Sequence, residues 1–317
     1  MKYKHLFGPV SSRRLGISLG VDLVPYKYCP LNCVYCEVQR TTHLSTKRGE
    51  FYPIREIIEE LDDYLKSIPK LDFITFSGAG EPTLHSGIGI IIDYIKDHYP
   101  QYKLALLTNG ILLSDDLVRA QILRCDLILP SLDAASQEVF EKINRPMPGL
   151  KVEELISSLV SLRKEFKGEI RLEVFIIEGL NDTASALDSL AIAIEKIEPD
   201  IIQLNSLDRV GAEEWVRSAS SSQLTKIKKY LDSRLNIPVE IIAKIHYASE
   251  LSIVDAGVIA GIETLLVSRA GTAEDVSSAL GIHINEISKI LRELHLEGHL
   301  HAKREDWGVV YRWKFKT

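Results

Sequence analysis

The sequence predicts an α/β protein built on a parallel sheet, followed by a smaller C-terminal domain. Three observations predict it. Six short apolar runs, at 15–24, 71–76, 103–108, 126–130, 169–177 and 200–205, alternate with segments of helical periodicity. That order builds a parallel sheet with crossover helices. Polar and glycine-rich motifs follow these runs, and ligands of such sheets gather at the carboxyl ends of strands. From about residue 258 the pattern changes to helix–turn–helix and two short strands.

In chain order, LGISLGVDLV (15–24) alternates well enough for a first strand. It runs into Tyr28-Cys29-Pro30-Leu31-Asn32-Cys33-Val34-Tyr35-Cys36, where Pro30 and Asn32 favour a loop over a helix. Pro53 then opens a helix, IREIIEELDDYLKSI, with proline in its first turn. The buried-type strand LDFITF ends in Ser77-Gly78-Ala79-Gly80-Glu81-Pro82. Helix 86–98 leads to strand 103–108 and Asn109-Gly110; helix 114–122 leads to strand 126–130 and Ser131-Leu132-Asp133. Helix 135–144 ends in Asn144-Arg145-Pro146, with Asp133 a candidate N-cap. Helix 151–165, strand 169–177, helix 184–196 and strand 200–205, closing at Asn205, complete the sixth unit. A polar connection (211–222), a helix (223–235) and a strand (238–243) are expected to cap an edge of the sheet. His246 and Tyr247 find no place in this pattern. The expected boundaries are 1–210 for the core, 211–257 for the cap and linker, and 258–317 for the second domain.

The 317 residues suffice for a large core and two domains, and 45% hydrophobic with 26% charged residues is ordinary for a soluble protein. No apolar run reaches the length of a membrane span, and MKYKHLFGPV lacks a secretion signal, so a reducing, cytoplasmic location is expected. Residues 1–48 carry eight bases against two acids, a net of +6 in a chain of net −6, which leaves −12 for the rest. That basic stretch is either a solvated face that also offsets thiolates, or a rim that attracts an anion such as a nucleotide or RNA.

Three of the four cysteines fall within eight residues, spaced C-x3-C-x2-C; Cys125 stands alone in LRCDLILP and reads as a buried small hydrophobe. Thiolates this close repel unless something positive sits among them. A disulfide would leave an odd thiol in a compartment where disulfides are rare. Zinc would need a fourth ligand, which His43 could supply. An iron–sulfur cubane on three cysteines would leave one iron open.

The cysteine spacing, with the aromatic Tyr35 before the last cysteine, resembles the radical SAM superfamily. Gly78-Ala79-Gly80-Glu81-Pro82 is similar to the Gly-Gly-Glu-Pro motif of that family, with Ala79 in place of the first glycine. The resemblance implies an open (β/α)6 partial barrel and a [4Fe–4S] cluster on Cys29, Cys33 and Cys36. It implies S-adenosylmethionine as cosubstrate, cleaved reductively to a 5′-deoxyadenosyl radical. Gly78 to Pro82 would hold its methionine end, with Glu81 a candidate for its ammonium. Ser131 and Asp133 would touch the ribose, while Tyr35, Asn109 and Asn205 would line the remaining cofactor surface. Arg145 would meet a carboxylate in the pocket. An electron donor of flavodoxin or ferredoxin type is implied as partner. GPVSSRRLGISLGVD (8–22), with Arg13 and Arg14 as candidates for substrate electrostatics, resembles the wybutosine-synthesis-like subgroup, which acts on tRNA.

The C-terminal segment resembles a winged helix-turn-helix domain. Thr272 with Asp275 reads as an N-cap, Gly281 as the turn, Ile287, Ile290, Leu291 and Leu294 as an apolar stripe, and Gly298 as the helix end. DNA binding is not expected: residues 259–317 hold eight bases and eight acids, and Glu286, Glu293 and Glu297 lie on the would-be recognition helix. The expected role is docking of a peptide, protein or RNA, with Arg304, Trp307, Arg312 and Lys314 as contacts. Two other readings stand beside a tRNA-directed enzyme: a peptide-modifying radical SAM enzyme, and an iron–sulfur redox sensor with a DNA-binding output.

Overall fold

The structure, a computed structural model, describes residues 3–12, 14–207, 211–243, 256–268, 270–305 and 308–314. Arg13, His246, Tyr247 and Trp307 lie outside the described residues.

An eight-stranded sheet organises the chain. Strands β1 (Leu6–Ser12) and β2 (Gly16–Val21) form its antiparallel edge. A pair of two-residue strands, β3 (Tyr28–Cys29) and β4 (His43–Leu44), lies outside it within the cysteine loop. Strands β5 (Phe73–Phe76), β6 (Lys103–Thr108), β7 (Leu127–Pro130), β8 (Glu169–Phe175), β9 (Ile201–Asn205) and β10 (Val239–Ile241) then add in parallel to β2. The spatial order follows the chain order, so the crossovers wind one way, as in a barrel, rather than reversing as in a doubly wound sheet. The edges β1 and β10 do not pair among the described residues, which leaves the barrel open.

Helices α1 (Ile54–Leu65), α2 (Ile88–His98), α3 (Asp116–Ile122), α4 (Gln137–Ile143), α5 (Val152–Glu165), α6 (Ala184–Ile197) and α7 (Ser221–Asp232) connect the parallel strands. The first shows why they pack as they do. Its Ile57, Leu61 and Leu65 recur every four residues, share one face and are all buried. Each such burial contributes about 1.5–3 kcal/mol, and Leu61→Ala would cost about 2–5 kcal/mol. The strands alternate to match. Leu19, Val21, Ile74, Phe76, Leu104 and Leu106 join the core under the helices. Phe73, Ala105, Leu107, Leu127 and Leu129 line the opposite, inner face with Leu15.

Two elements differ from the sequence reading. The first strand was expected at 15–24, yet Leu6–Ser12 form a strand before it, β1. Pro9 has no N–H to give to a ladder, and it sits where the register shifts between Phe7 and Val10, on an edge, which is where a strand tolerates proline. Asp133 does not cap a helix: α4 is capped by Ser136, whose side chain accepts from the Val139 N–H. The cap region behaves as expected, since β10 extends the sheet beside β9.

The C-terminal segment comprises α8 (Ala256–Ser268), α9 (Ala273–Leu280), α10 (Ile284–Leu296) and a hairpin of β11 (Leu300–Glu305) with β12 (Gly308–Trp313). It has its own core of Ile262, Leu266, Val276, Ile287, Leu291, Leu294, Leu300 and Tyr311. Thr272 and Asp275 form the expected capping box. Gly281 closes α9 at φ +64° and Gly298 follows α10 at φ +84°, left-handed positions that favour glycine.

This domain packs on the barrel through α10. The Glu286 carboxylate accepts from the Gly8 N–H at 2.8 Å. His283 stacks on Phe7 with ring centres 4.9 Å apart. Arg292 lies 3.7 Å from Glu37, and Arg304 donates to Gln39 at 3.2 Å. Arg304, expected to meet a partner, is therefore turned inward.

Candidate active site

The cysteine loop follows β2 and lies across the carboxyl ends of the strands. Its shape comes from backbone ties to a distant segment. Asn32 N–H donates to the Asn144 carbonyl at 2.9 Å, Val34 N–H to Ile143 at 2.9 Å, and the Met147 N–H to Pro30 at 2.9 Å. The Asn32 side chain accepts from the Thr41 N–H at 2.8 Å. These bonds tie the cysteine loop to the segment 143–147 and to Thr41.

Each of the three sulfurs faces a nitrogen donor from a different part of the chain. Lys27 Nζ lies 3.0 Å from Cys36 Sγ, Asn109 Nδ2 3.4 Å from Cys29 Sγ, and Asn144 Nδ2 3.4 Å from Cys33 Sγ. Donors of this kind stabilise charge on sulfur and tune an iron–sulfur centre. Burial, helped by Glu81, pushes the Cys29 thiol up to about 12, and burial, helped by Asp133, raises that of Cys33 strongly. Lys27 is buried and holds a left-handed backbone at φ +60°. Such a conformation is uncommon outside glycine and persists where surrounding contacts fix it. Here Lys27 N–H donates to the Ala79 carbonyl and its own carbonyl accepts from His43 N–H.

Zinc needs four ligands converging at about 2.0–2.3 Å. Among the described residues no three His, Cys, Asp or Glu side chains are placed to share one metal ion. His43 stacks flat on Tyr28, ring centres 4.3 Å apart, with Nδ1 at 3.1 Å from the Thr42 hydroxyl.

The Gly78–Pro82 segment abuts this loop. A Cβ on Gly78 would meet the Asp22 carboxylate at 2.0 Å, and one on Gly80 would meet the Tyr28 carbonyl at 2.2 Å. The glycines thus let this segment close on β2 and the cysteine loop, a tighter constraint than room for a ligand alone. Ala79 is accommodated because its φ is not positive; its N–H donates to Asp22 at 3.1 Å.

Glu81 departs from expectation. Its carboxylate is buried, and both oxygens are committed to protein donors. Oε1 accepts from the Thr83 N–H, the Thr83 hydroxyl and the Thr108 hydroxyl at 3.1, 2.6 and 2.7 Å; Oε2 accepts from the Asn109 N–H at 2.8 Å. It caps the 3-10 turn of Pro82–Leu84 and pins the end of β6. The local signal was present: a carboxylate followed by Pro82 and Thr83 is the signature of a capped turn.

Asp133 likewise is not free for a ribose. It is buried, accepting from the Tyr35 hydroxyl at 2.6 Å, Asn144 Nδ2 at 2.7 Å and the Phe175 N–H at 2.9 Å. Burial raises its carboxyl to about 6 against those bonds. Tyr35 is fixed by this bond and by stacking on Phe175 at 3.9 Å. Its carbonyl lies against Gly211, where a Cβ would come within 2.9 Å. Asn109 gives its side chain to Cys29 and accepts from the Ile111 N–H at 3.0 Å. Asn205 donates to Glu173 at 3.0 Å and accepts from Ser206. Ser131 bridges to Glu173 through the backbone and stays half-buried at the end of β7.

Several of the N-terminal bases have partners within the protein. Arg14 pairs with Glu173. Arg40 and Arg145 both bond Glu213, at 2.9 and 2.6 Å, so the carboxylate that Arg145 meets belongs to the protein. Arg48 donates to the Thr83 and His85 carbonyls and to Gln121. Of the eight bases counted in residues 1–48, Lys27 alone among those described faces a cysteine sulfur, and Arg40 pairs with Glu213 from an exposed position. Lys27, Asn144 and Asp22 escaped the sequence reading because their partners lie far along the chain or carry no local pattern.

The chain is similar to known proteins. The family model described as the radical SAM superfamily matches residues 23–191. A UPF0026 protein of Methanocaldococcus jannaschii is 31% identical over 223 residues, 70% of this chain and 69% of that protein. A protein named GTPase Obg from Brachyspira hyodysenteriae is 36% identical over 241 residues, 76% of this chain; the match spans 35% of that protein, about a third of its length. The crystal structure of a radical SAM methyltransferase from Sphaerobacter thermophilus superposes with a TM-score of 0.53 at 15% identity, covering 72% of this chain and 67% of that one. At that identity the likeness is one of fold.

Proposed function

Because this chain belongs to the radical SAM superfamily, we propose that Cys29, Cys33 and Cys36 hold its one [4Fe–4S] cluster beside S-adenosylmethionine. When bound, that pair supplies a 5′-deoxyadenosyl radical able to abstract hydrogen from a substrate. The observation that carries the assignment is the set of three N–H donors, Lys27, Asn109 and Asn144, each aimed at a different cysteine sulfur. Protein groups hold the parts in register while the cofactor carries the chemistry. Gly78 to Pro82 support the methionine end through backbone, braced by Glu81. Ser131 and the backbone of Tyr35 face the nucleoside end, with Asn205 and Asp133 positioning their neighbours.

The C-terminal domain is read as a winged helix-turn-helix that serves the barrel. The first turns of α10, the surface such a domain offers to DNA, are occupied by Phe7, Gly8 and Glu37 of the barrel. A DNA-binding sensor is disfavoured on that ground. A tRNA substrate is implied by the likeness of residues 8–22 to wybutosine-type enzymes, although Arg14 and Lys27 of that basic stretch are engaged by Glu173 and Cys36. A peptide or small-molecule substrate fits better. The setting is reducing and cytoplasmic, with a flavodoxin- or ferredoxin-type donor; no helix among the described residues is long and apolar enough to cross a membrane.

Anaerobic reconstitution with iron and sulfide, followed by S-adenosylmethionine and a strong reductant, tests the reading. It expects 5′-deoxyadenosine from the wild type and none from Cys33→Ala. Equal yields would overturn the ligand assignment.

A further inference from the structure

The inside of the barrel carries an ion pair that the cofactor reading leaves unused. Leu172 and Val174 of β8 join the core beneath the helices, so Arg171 and Glu173 point the other way, into the barrel. Arg14, from the turn between β1 and β2, reaches them from the amino-terminal end of the strands. Its carbonyl accepts from Arg171 Nη1 at 3.1 Å, and its guanidinium pairs with Glu173, two residues further along β8. The neighbouring Leu15 packs on Ala105, Leu127 and Leu129 of the inner face. The Arg14 side chain therefore runs up the lumen toward the cysteine loop.

Strand register places this pair relative to the cysteines. Thr108 stands opposite Pro130, and the bridge from Ser131 to Glu173 carries the next level on to β8. Asn109, Ser131 and Glu173 thus share one level on adjacent strands, about 5 Å from one to the next. Asn109 Nδ2 lies 3.4 Å from Cys29 Sγ, so Glu173 stands about 10 Å along the row from a residue that touches a cysteine sulfur. The next inward residue of β8 is Phe175, on which Tyr35 of the cysteine loop stacks. The ion pair is not sealed: the side chains of Arg14 and Glu173 keep 21% and 15% exposure. Arg14 gives Nη1 to Glu173, while its Nε and Nη2 bond no described residue and are not closed off from solvent. Glu173 is held in turn by Asn205 Nδ2 at 3.0 Å. A guanidinium fixed at one edge and open at the other is preorganised for a planar, two-point bond to an oxyanion.

We infer that the substrate is a small molecule bound in the lumen beneath the cysteine loop, with a carboxylate or phosphate group on the Nε–Nη2 edge of Arg14. Glu173 and Asn205 are positioning residues that hold that edge in place. The inference rests on the radical SAM reading, because the row from Asn109 to Glu173 starts at the cluster ligand Cys29 and passes Ser131 at the nucleoside end. The oxyanion has two sources, an organic acid or a phosphate ester.

The test is a ligand-observed nuclear magnetic resonance titration of the cluster-loaded protein, saturated with S-adenosylmethionine and left unreduced so that nothing turns over. The probes are benzoate, phenyl phosphate and the neutral benzamide. Benzoate or phenyl phosphate should bind at least ten times more tightly than benzamide, and the tighter of the two assigns the source. Arg14→Met should erase that preference, whereas Arg40→Met, at the separate pairing with Glu213, should keep it. Glu173→Gln removes the opposing charge while leaving Arg14 an acceptor, and should tighten the oxyanion probes at least threefold. A purely structural ion pair predicts no such gain, and this variant decides the matter if Arg14→Met does not fold by circular dichroism. A smaller wild-type ratio overturns the inference, as does a preference that survives Arg14→Met or is lost in Arg40→Met, or a smaller gain in Glu173→Gln. Failure of the cofactor reading shows separately, as no saturation by S-adenosylmethionine in the wild type; the same titration then decides on the cofactor-free protein.

Discussion

Replacing Glu81 by alanine should weaken the fold before it touches any ligand. The carboxylate accepts four hydrogen bonds, two from hydroxyls of Thr83 and Thr108 and two from backbone N–H groups of Thr83 and Asn109. The hydroxyls can rotate to new acceptors, but the two N–H groups cannot. Each stranded donor costs about 1–3 kcal/mol. Burial also raises the Glu81 carboxyl above its ordinary range, so removing it relieves part of that cost. The net loss is then about 2–4 kcal/mol, out of a total stability on the order of 5–15 kcal/mol. Thermal melting of the metal-free protein at neutral pH, followed by circular dichroism, should show a midpoint lowered by roughly 3–6 °C. Glu81→Gln, which keeps Oε1 and sets an amide against the Asn109 N–H, should fall between. An Ala variant that melts with the wild type yet no longer binds S-adenosylmethionine would refute the brace and restore the carboxylate as a ligand group.

Lys27→Met removes a buried cation 3.0 Å from Cys36 Sγ. It should lower the reduction potential of the reconstituted cluster by about 59 mV or more, a tenfold change for a one-electron couple, read by an electron paramagnetic resonance titration; an unchanged potential would leave Lys27 a packing residue. Glu213 opposes burial through Arg40 and Arg145, which hold its carboxyl below the ordinary range. A depressed carboxyl stabilises the fold above its unfolded pKa and loses that effect as pH falls through the folded value. Glu213→Gln should therefore lower the melting midpoint at pH 7 and make little difference near pH 3; equal losses at both would assign the effect to packing. His43→Ala should leave the iron content of the reconstituted protein unchanged, and a loss of bound metal would revive a mononuclear site.

What the sequence disclosed was local. Alternation of apolar runs located the six central parallel strands, and the cysteine spacing located the loop. Thr272 with Asp275, and Gly281 after α9, fell where capping chemistry requires. Residues 6–12 were missed because Pro9 argues against a strand unless one knows that the strand is an edge. The donors to the sulfurs were missed for a different reason. Asn144 stands 111 positions from Cys33 and Asn109 stands 80 from Cys29, and no local pattern announces either meeting. Glu81 was assigned to a ligand because its place in a motif outweighed its neighbours Pro82 and Thr83. The docking of α10 on β1 was invisible for the same reason as the sulfur donors, since Glu286 finds Gly8 across 278 residues.

The account stands on one iron of the cluster being free to take the amino-acid end of S-adenosylmethionine. Electron paramagnetic resonance of the reduced, reconstituted protein, recorded with and without S-adenosylmethionine, addresses this directly. The signal of a [4Fe–4S] cluster should change shape when the cosubstrate is added, and Cys36→Ala should give no such cluster. A signal that ignores the cosubstrate, or bound zinc in place of iron, would contradict it.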